Sequence, residues 1–86
     1  YQPFPQVLLN VPVTSKPDLD SVGSVSELVG RHEAELGEDG RILLRYSGTE
    51  PLARVMVEGP DEARIRSMAE EIAQLIRDEI GSPASR

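Results

Sequence analysis

Two runs rich in branched aliphatic residues, Arg41-Ile-Leu-Leu-Arg-Tyr46 and Leu52-Ala-Arg-Val-Met-Val-Glu58, stand only five residues apart, and those five include Gly48 and Pro51. Branched runs bounded by turn formers read as strands, and a connection this short makes them an antiparallel hairpin. The flanking segments must then supply what covers it. Val25, Leu28, Val29, His32 and Leu36 recur at helical spacing before the hairpin, and Ile65, Met68, Ala69, Ile72, Leu75, Ile76 and Ile80 do so after it. Each helix carries one apolar stripe, so each needs one apolar surface. Near the start, Val7, Leu9, Val11 and Val13 alternate with Leu8, Asn10 and Pro12, the period of a strand. Pro12 has no N–H to give a ladder, which puts that strand at an edge or ends it there. The predicted order is strand, helix, strand, strand, helix. It describes an α+β fold in which a small, mostly antiparallel sheet carries both helices on one face, with the other face exposed or meeting another domain.

Local signals set the expected boundaries. Ser24-Val-Ser-Glu27 fits a capping box opening the first helix, with Gly37 as its left-handed C-terminal cap. Gly59-Pro60 opens the second helix with proline at the first position and Asp61 and Glu62 in the first turn, and Gly81 ends it. Thr14 to Gly23 reads as a polar loop. Residues 1–5, with two prolines, read as a linker from upstream domains, 6–81 as one domain and 82–86 as a disordered tail. A chain starting at Tyr1 without Met is expected to be a piece of a longer protein.

Composition narrows the function classes. Eighty-six residues make one small domain, and 38% hydrophobic residues with only three aromatics make its core aliphatic. Fifteen acidic against nine basic side chains give a net charge of −6, which argues against nucleic acid or an anionic membrane as partner. Zero cysteines exclude thiolate catalysis and suit a reducing compartment, so the cytoplasm is the expected location. His32, the only histidine, lies on an apolar helical stripe and reads as packed rather than as a general base. Glu70-Glu71 and Asp78-Glu79 read as solvated pairs, and no metal site is expected among these residues. Tyr46 is expected to pack against a neighbouring element.

Against this acidic background the balance inverts locally, because Arg41, Arg45 and Arg54 face only Glu50 between Gly40 and Val57. In the stretch RYSGTEPLAR, residues 45–54, a hairpin brings Arg45 and Arg54 together across its mouth. Ser47 and Thr49 offer hydroxyls, and Gly48 lets the backbone approach a ligand without a Cβ in the way. Those groups suit an anion with several oxygens, a phosphate above all. An ordinary solvated hairpin loop, with its arginine stems covering the strands, uses the same residue types. Glu50 beside a bound anion must point away or pair with an arginine.

Arg45-Tyr-Ser-Gly-Thr-Glu-Pro51 followed by Arg54-Val-Met-Val-Glu58 closely resembles the C-terminal phosphate-binding loop of the alpha-D-phosphohexomutase superfamily, and within it the bacterial phosphoglucosamine mutases. Phe4-Pro-Gln-Val-Leu-Leu-Asn-Val11 is similar to the start of that family's last domain. The resemblance implies a TATA-binding-protein-like domain, the fourth of a four-domain isomerase, an intramolecular phosphotransferase of amino sugar metabolism that supplies cell wall precursors. Such enzymes interconvert hexosamine 6-phosphate and 1-phosphate through a 1,6-bisphosphate, with a phosphorylated serine and Mg2+ in upstream domains absent here. On this resemblance no catalytic residue lies in this chain, its partners are a phosphosugar and those upstream domains, and Arg45, Ser47, Gly48, Thr49 and Arg54 hold the substrate phosphate; Glu50 is a further candidate whose role the sequence leaves open. The same domain of a phosphoglucomutase or phosphomannomutase, a stand-alone phosphosugar-binding module, and an RNA-binding sheet face are the competing readings.

Overall fold

The computed structural model describes residues 4–81, so the tail expected at 82–86 and the first residues of the expected linker lie outside it. Strand β1 (Gln6–Pro12) is followed by helix α1 (Gly23–Leu36), strands β2 (Arg41–Tyr46) and β3 (Leu52–Glu58), and helix α2 (Glu62–Ile80). Single 3-10 turns at Leu19–Ser21 and Gly37–Asp39 lie on either side of α1. The sheet order is β1-β3-β2, antiparallel throughout, so β3 is central and the proline-ended β1 is an edge, as Pro12 requires. The α+β fold and element order expected from the sequence are those of the structure.

The pairing register divides the sheet into two chemically distinct faces. Val7 and Val11 of β1, Ile42 of β2, and Ala53, Val55 and Val57 of β3 are buried on one face, where α2 supplies Ile65, Met68, Ala69, Ile72, Ala73 and Ile76 and α1 supplies Val25 and Leu28. The other face is crossed by rows. Leu8, Met56 and Leu43 form one row, with Leu8 66% and Leu43 39% exposed beside a buried Met56; Asn10, Arg54 and Arg45 form the next. Of the residues expected in the helical stripes, Val29, Leu36, Leu75 and Ile80 are only half-buried at its margins, and Ala73 joins the core.

Three expected helix ends form differently. Ser24 lies inside α1 and donates to Glu79 Oε2 at 3.2 Å, tying the helices together, while the N-cap is Val22 with no side-chain bond. The capping box is therefore replaced by an interhelical contact. Gly37 has positive φ (59°) but ψ of −135°, outside the left-handed helical region, and the chain continues into a 3-10 turn. On α2, Asp61 is the N-cap, its Oδ1 accepting from the Arg64 amide at 3.2 Å, so Pro60 precedes the helix rather than opening it. Gly81 caps the C-terminus in an extended conformation and bridges to Val13.

Candidate functional site

The β2–β3 loop, residues 47–51, is a closed structure built on Ser47. Its side chain is almost fully buried, at 8% exposure for the residue, and Oγ accepts from the amides of Thr49 at 3.4 Å and Glu50 at 3.3 Å. A serine hydroxyl accepting from amides two and three positions on is a local turn that fixes the loop without help from glycine. In this structure the Thr49 and Glu50 amides thus face a neutral oxygen inside the loop, while the Ser47 hydroxyl keeps its own proton to donate. A Cβ at Gly48 would meet open space and its φ is not positive, so neither packing nor backbone requires glycine there. The position suits close approach of a ligand. Thr49 and Glu50 are exposed at the tip.

The loop is anchored on three sides. Ser47 N–H donates to the Leu52 carbonyl at 2.9 Å, and Val13 N–H donates to the Pro51 carbonyl at 2.8 Å, joining the loop exit to the end of β1. From the polar segment after β1, Lys16 Nζ donates to the Ser47 carbonyl at 2.7 Å, and the Tyr46 hydroxyl donates to the Pro17 carbonyl at 2.5 Å. Burial, with the Asp18 carboxylate second, pushes the Tyr46 phenol above its ordinary value. Tyr46 packs as expected. Lys16 was not singled out by sequence reasoning, since an isolated lysine in a polar loop carries no periodic or motif signal.

Arg45 and Arg54 are direct cross-strand partners in the register. Such partners have Cβ atoms about 4.5–5.5 Å apart on one face, where like charges oppose folding unless something anionic lies between them. Neither guanidinium forms an ion pair among the described residues, in contrast to Arg41, 3.5 Å from Glu58, and Arg64, paired with Glu35. The Glu50 carboxylate forms no ion pair with either. Two of the expected residues are thus brought side by side as free forks, and the loop that holds the other three begins two residues after Arg45.

The rest of the surface offers poorer anion chemistry. A groove of about 620 Å³ between the helices is lined by Glu27, Glu71 and Asp78 against one cation, Arg31. His32 is buried between α1 and α2, Nε2 lying 2.7 Å from Glu71 and Nδ1 3.4 Å from Glu35. Among the described residues no cluster of three or more His, Cys, Asp or Glu side chains could hold a metal ion, and no helix is long and apolar enough to cross a membrane.

Residues 8–75 match the family described as the phosphoglucomutase/phosphomannomutase C-terminal domain. The chain belongs to that family. Relatives of this C-terminal domain include the phosphoglucosamine mutases of Geotalea uraniireducens, 53% identical over 79 residues and 92% of the chain, and of Protochlamydia amoebophila, 46% identical over 84 residues and 98% of the chain. The chain spans only 17% and 18% of the length of these two relatives. Among solved structures, Aspergillus fumigatus N-acetylphosphoglucosamine mutase in complex with GlcNAc-6P and magnesium is similar at TM-score 0.70 and 25% identity, over 87% of this domain and 17% of that chain. The glucose 1,6-bisphosphate complex of the same fungal enzyme has the same fold at TM-score 0.74 and 24% identity, over 92% of this domain and 16% of that chain.

Proposed function

We propose that this chain is the substrate-phosphate-binding C-terminal domain of a phosphoglucosamine mutase, which interconverts glucosamine 6-phosphate and glucosamine 1-phosphate through the 1,6-bisphosphate in the cytoplasm. The observation that carries this reading is the cross-strand pair Arg45 and Arg54, two like charges with no carboxylate partner among the described residues, beside a serine-closed loop. A phosphate dianion between the forks removes their repulsion and takes bidentate charge-assisted hydrogen bonds from both. Ser47, Gly48 and Thr49 complete the cradle.

The role assigned to the domain is alignment. Holding the phosphate that is not reacting orients the sugar so that its free hydroxyl meets a phosphoserine elsewhere in the enzyme, converting binding energy into proximity. The phosphoryl group passes from that serine to the hydroxyl, giving the bisphosphate. After the bisphosphate turns end for end, its other phosphoryl group passes back to the serine. The same loop must therefore accept either phosphate, and guanidinium and hydroxyl donors read a tetrahedral anion regardless of which carbon bears it. Magnesium falls to residues beyond this chain, as does the phosphoserine, so the chain alone is expected to be inactive. The sugar class follows the names of the relatives. The same domain of a phosphoglucomutase or phosphomannomutase is the second reading, favoured by the family's own description.

Titration of the chain with glucosamine 6-phosphate, followed by amide NMR shifts, tests the assignment. A net near 4 kcal/mol, left after association entropy offsets the charge-assisted bonds, corresponds to a dissociation constant of roughly millimolar. Shifts are expected at residues 45–54, to match those caused by glucosamine 1-phosphate, and to fade in Arg45→Ala. Shifts confined to the helices, or strongly different for the two sugar phosphates, overturn it.

A further inference from the structure

The bond pair that ordinarily closes an antiparallel hairpin is half missing here, and a lysine occupies the gap. With Tyr46 opposite Ala53, the next pair is Ser47 and Leu52. Ser47 N–H donates to the Leu52 carbonyl, but Leu52 N–H turns to the Glu50 carbonyl at 2.8 Å, leaving the Ser47 carbonyl without its strand donor. Lys16 Nζ supplies that donor at 2.7 Å. The bond from Tyr46 to the Pro17 carbonyl ties the adjacent backbone down, so residues 16–17 are fastened to residues 46–47 at two points. Pro17 restricts Lys16 to extended backbone, which presets the direction in which the side chain leaves the chain.

An ammonium has three N–H donors, and only one is directed at Ser47. Lys16 forms no ion pair among the described residues. A phosphate monoester presents three acceptor oxygens at neutral pH, each with more than one lone pair, so two bidentate guanidinium forks leave acceptor positions open to a further donor. Resting on the reading of the loop given above, we propose that Lys16 is a third cation of the phosphate site, anchored at the base of the hairpin loop by the Ser47 carbonyl and donating a second N–H to a phosphate oxygen. The site is then assembled from two segments distant in sequence. The segment between β1 and α1 becomes part of the binding surface rather than a spacer.

Lys16 is the only lysine in the sequence, so its Nζ resonance is an unambiguous probe. The 86-residue chain and its Lys16→Met, Lys16→Arg, Arg45→Ala and Arg66→Ala variants are titrated with inorganic phosphate and with glucosamine 6-phosphate, following backbone amides and the lysine side-chain nitrogen. Losing one charge-assisted bond in Lys16→Met is expected to weaken binding about tenfold, with Lys16→Arg staying within about threefold of the parent. Arg66→Ala, on the exposed side of α2, is expected to change nothing. The Nζ resonance is expected to move on phosphate addition, which a purely structural lysine would not do. Parent-like affinity in Lys16→Met, with binding lost in Arg45→Ala, overturns this inference and leaves the proposed function standing. Equal titrations of the parent and Arg45→Ala overturn both. Should Lys16→Met lose its dispersed spectrum, the parent's Nζ resonance decides, and its silence under saturating phosphate overturns the proposal.

Discussion

Arg45 stands directly opposite Arg54 across the hairpin, and among the described residues neither guanidinium has a carboxylate partner. The arrangement holds unfavourable charge in the unliganded fold. Arg54→Gln is therefore expected to raise stability without phosphate by about 0.2–1 kcal/mol while weakening phosphate binding. Urea melts with and without phosphate read both effects. Lower stability in phosphate-free buffer would contradict the repulsion.

Ile72 is completely buried in α2 against the sheet, at 0% exposure. Ile72→Ala is expected to destabilise the domain by about 2–5 kcal/mol through lost burial and the cavity left behind. In a domain of this size that is a large share of the total. Ile72→Asp should abolish the cooperative melt, and a normally folded Asp variant would contradict the helix register.

The phenol of Tyr46 is held above its ordinary value of 10.0, burial first and Asp18 second. The folded state therefore keeps this proton where the unfolded chain gives it up. The associated stability is complete below pH 10 and is lost as pH climbs from there through the raised folded value. Ultraviolet titration should show a transition above pH 10 that Tyr46→Phe removes. Melts at rising pH should steepen their decline in the parent more than in that variant, and identical declines would refute the assignment.

His32 joins the two helices through Glu71 and Glu35, on the layer opposite the arginine face. His32→Ala is expected to reduce stability by about 0.5–1.5 kcal/mol as the buried imidazole and its bonds to the exposed Glu71 and Glu35 are lost. The dissociation constant for glucosamine 6-phosphate should stay unchanged. A parallel loss of phosphate binding would place the histidine in the site.

Elements whose period repeats over many residues were legible in the sequence, and side-chain choices between two nearby partners were not. The stripe through Ile65, Ile72 and Ile76 and the hairpin around Gly48 and Pro51 admit one reading each. Ser24 had two partners in prospect, the backbone N–H its oxygen would accept from in a cap and the Glu79 carboxylate, brought near only by the folded α2, to which its hydroxyl donates, and the tertiary partner prevailed. Asp61 took the cap of α2 because its carboxylate reaches the Arg64 amide, an option proline lacks. At the candidate site, the five residues of the motif were visible because they are contiguous or nearly so. Lys16 was not, because only the return of the chain alongside the hairpin brings its ammonium to Ser47.

Strand β3 pairs with β2 across a loop of five residues but with β1 only after residues 13–51 have been looped out. Local closure is entropically the cheaper event, so the hairpin with its opposed arginines can assemble before β1 arrives. Lys16 and Pro17, which follow β1, come with it. The cradle is thus expected to mature in two stages during folding, the guanidinium pair first and the lysine anchor last. In chevron experiments Lys16→Met should then accelerate unfolding and leave the refolding rate nearly untouched, whereas substitutions within the hairpin slow refolding.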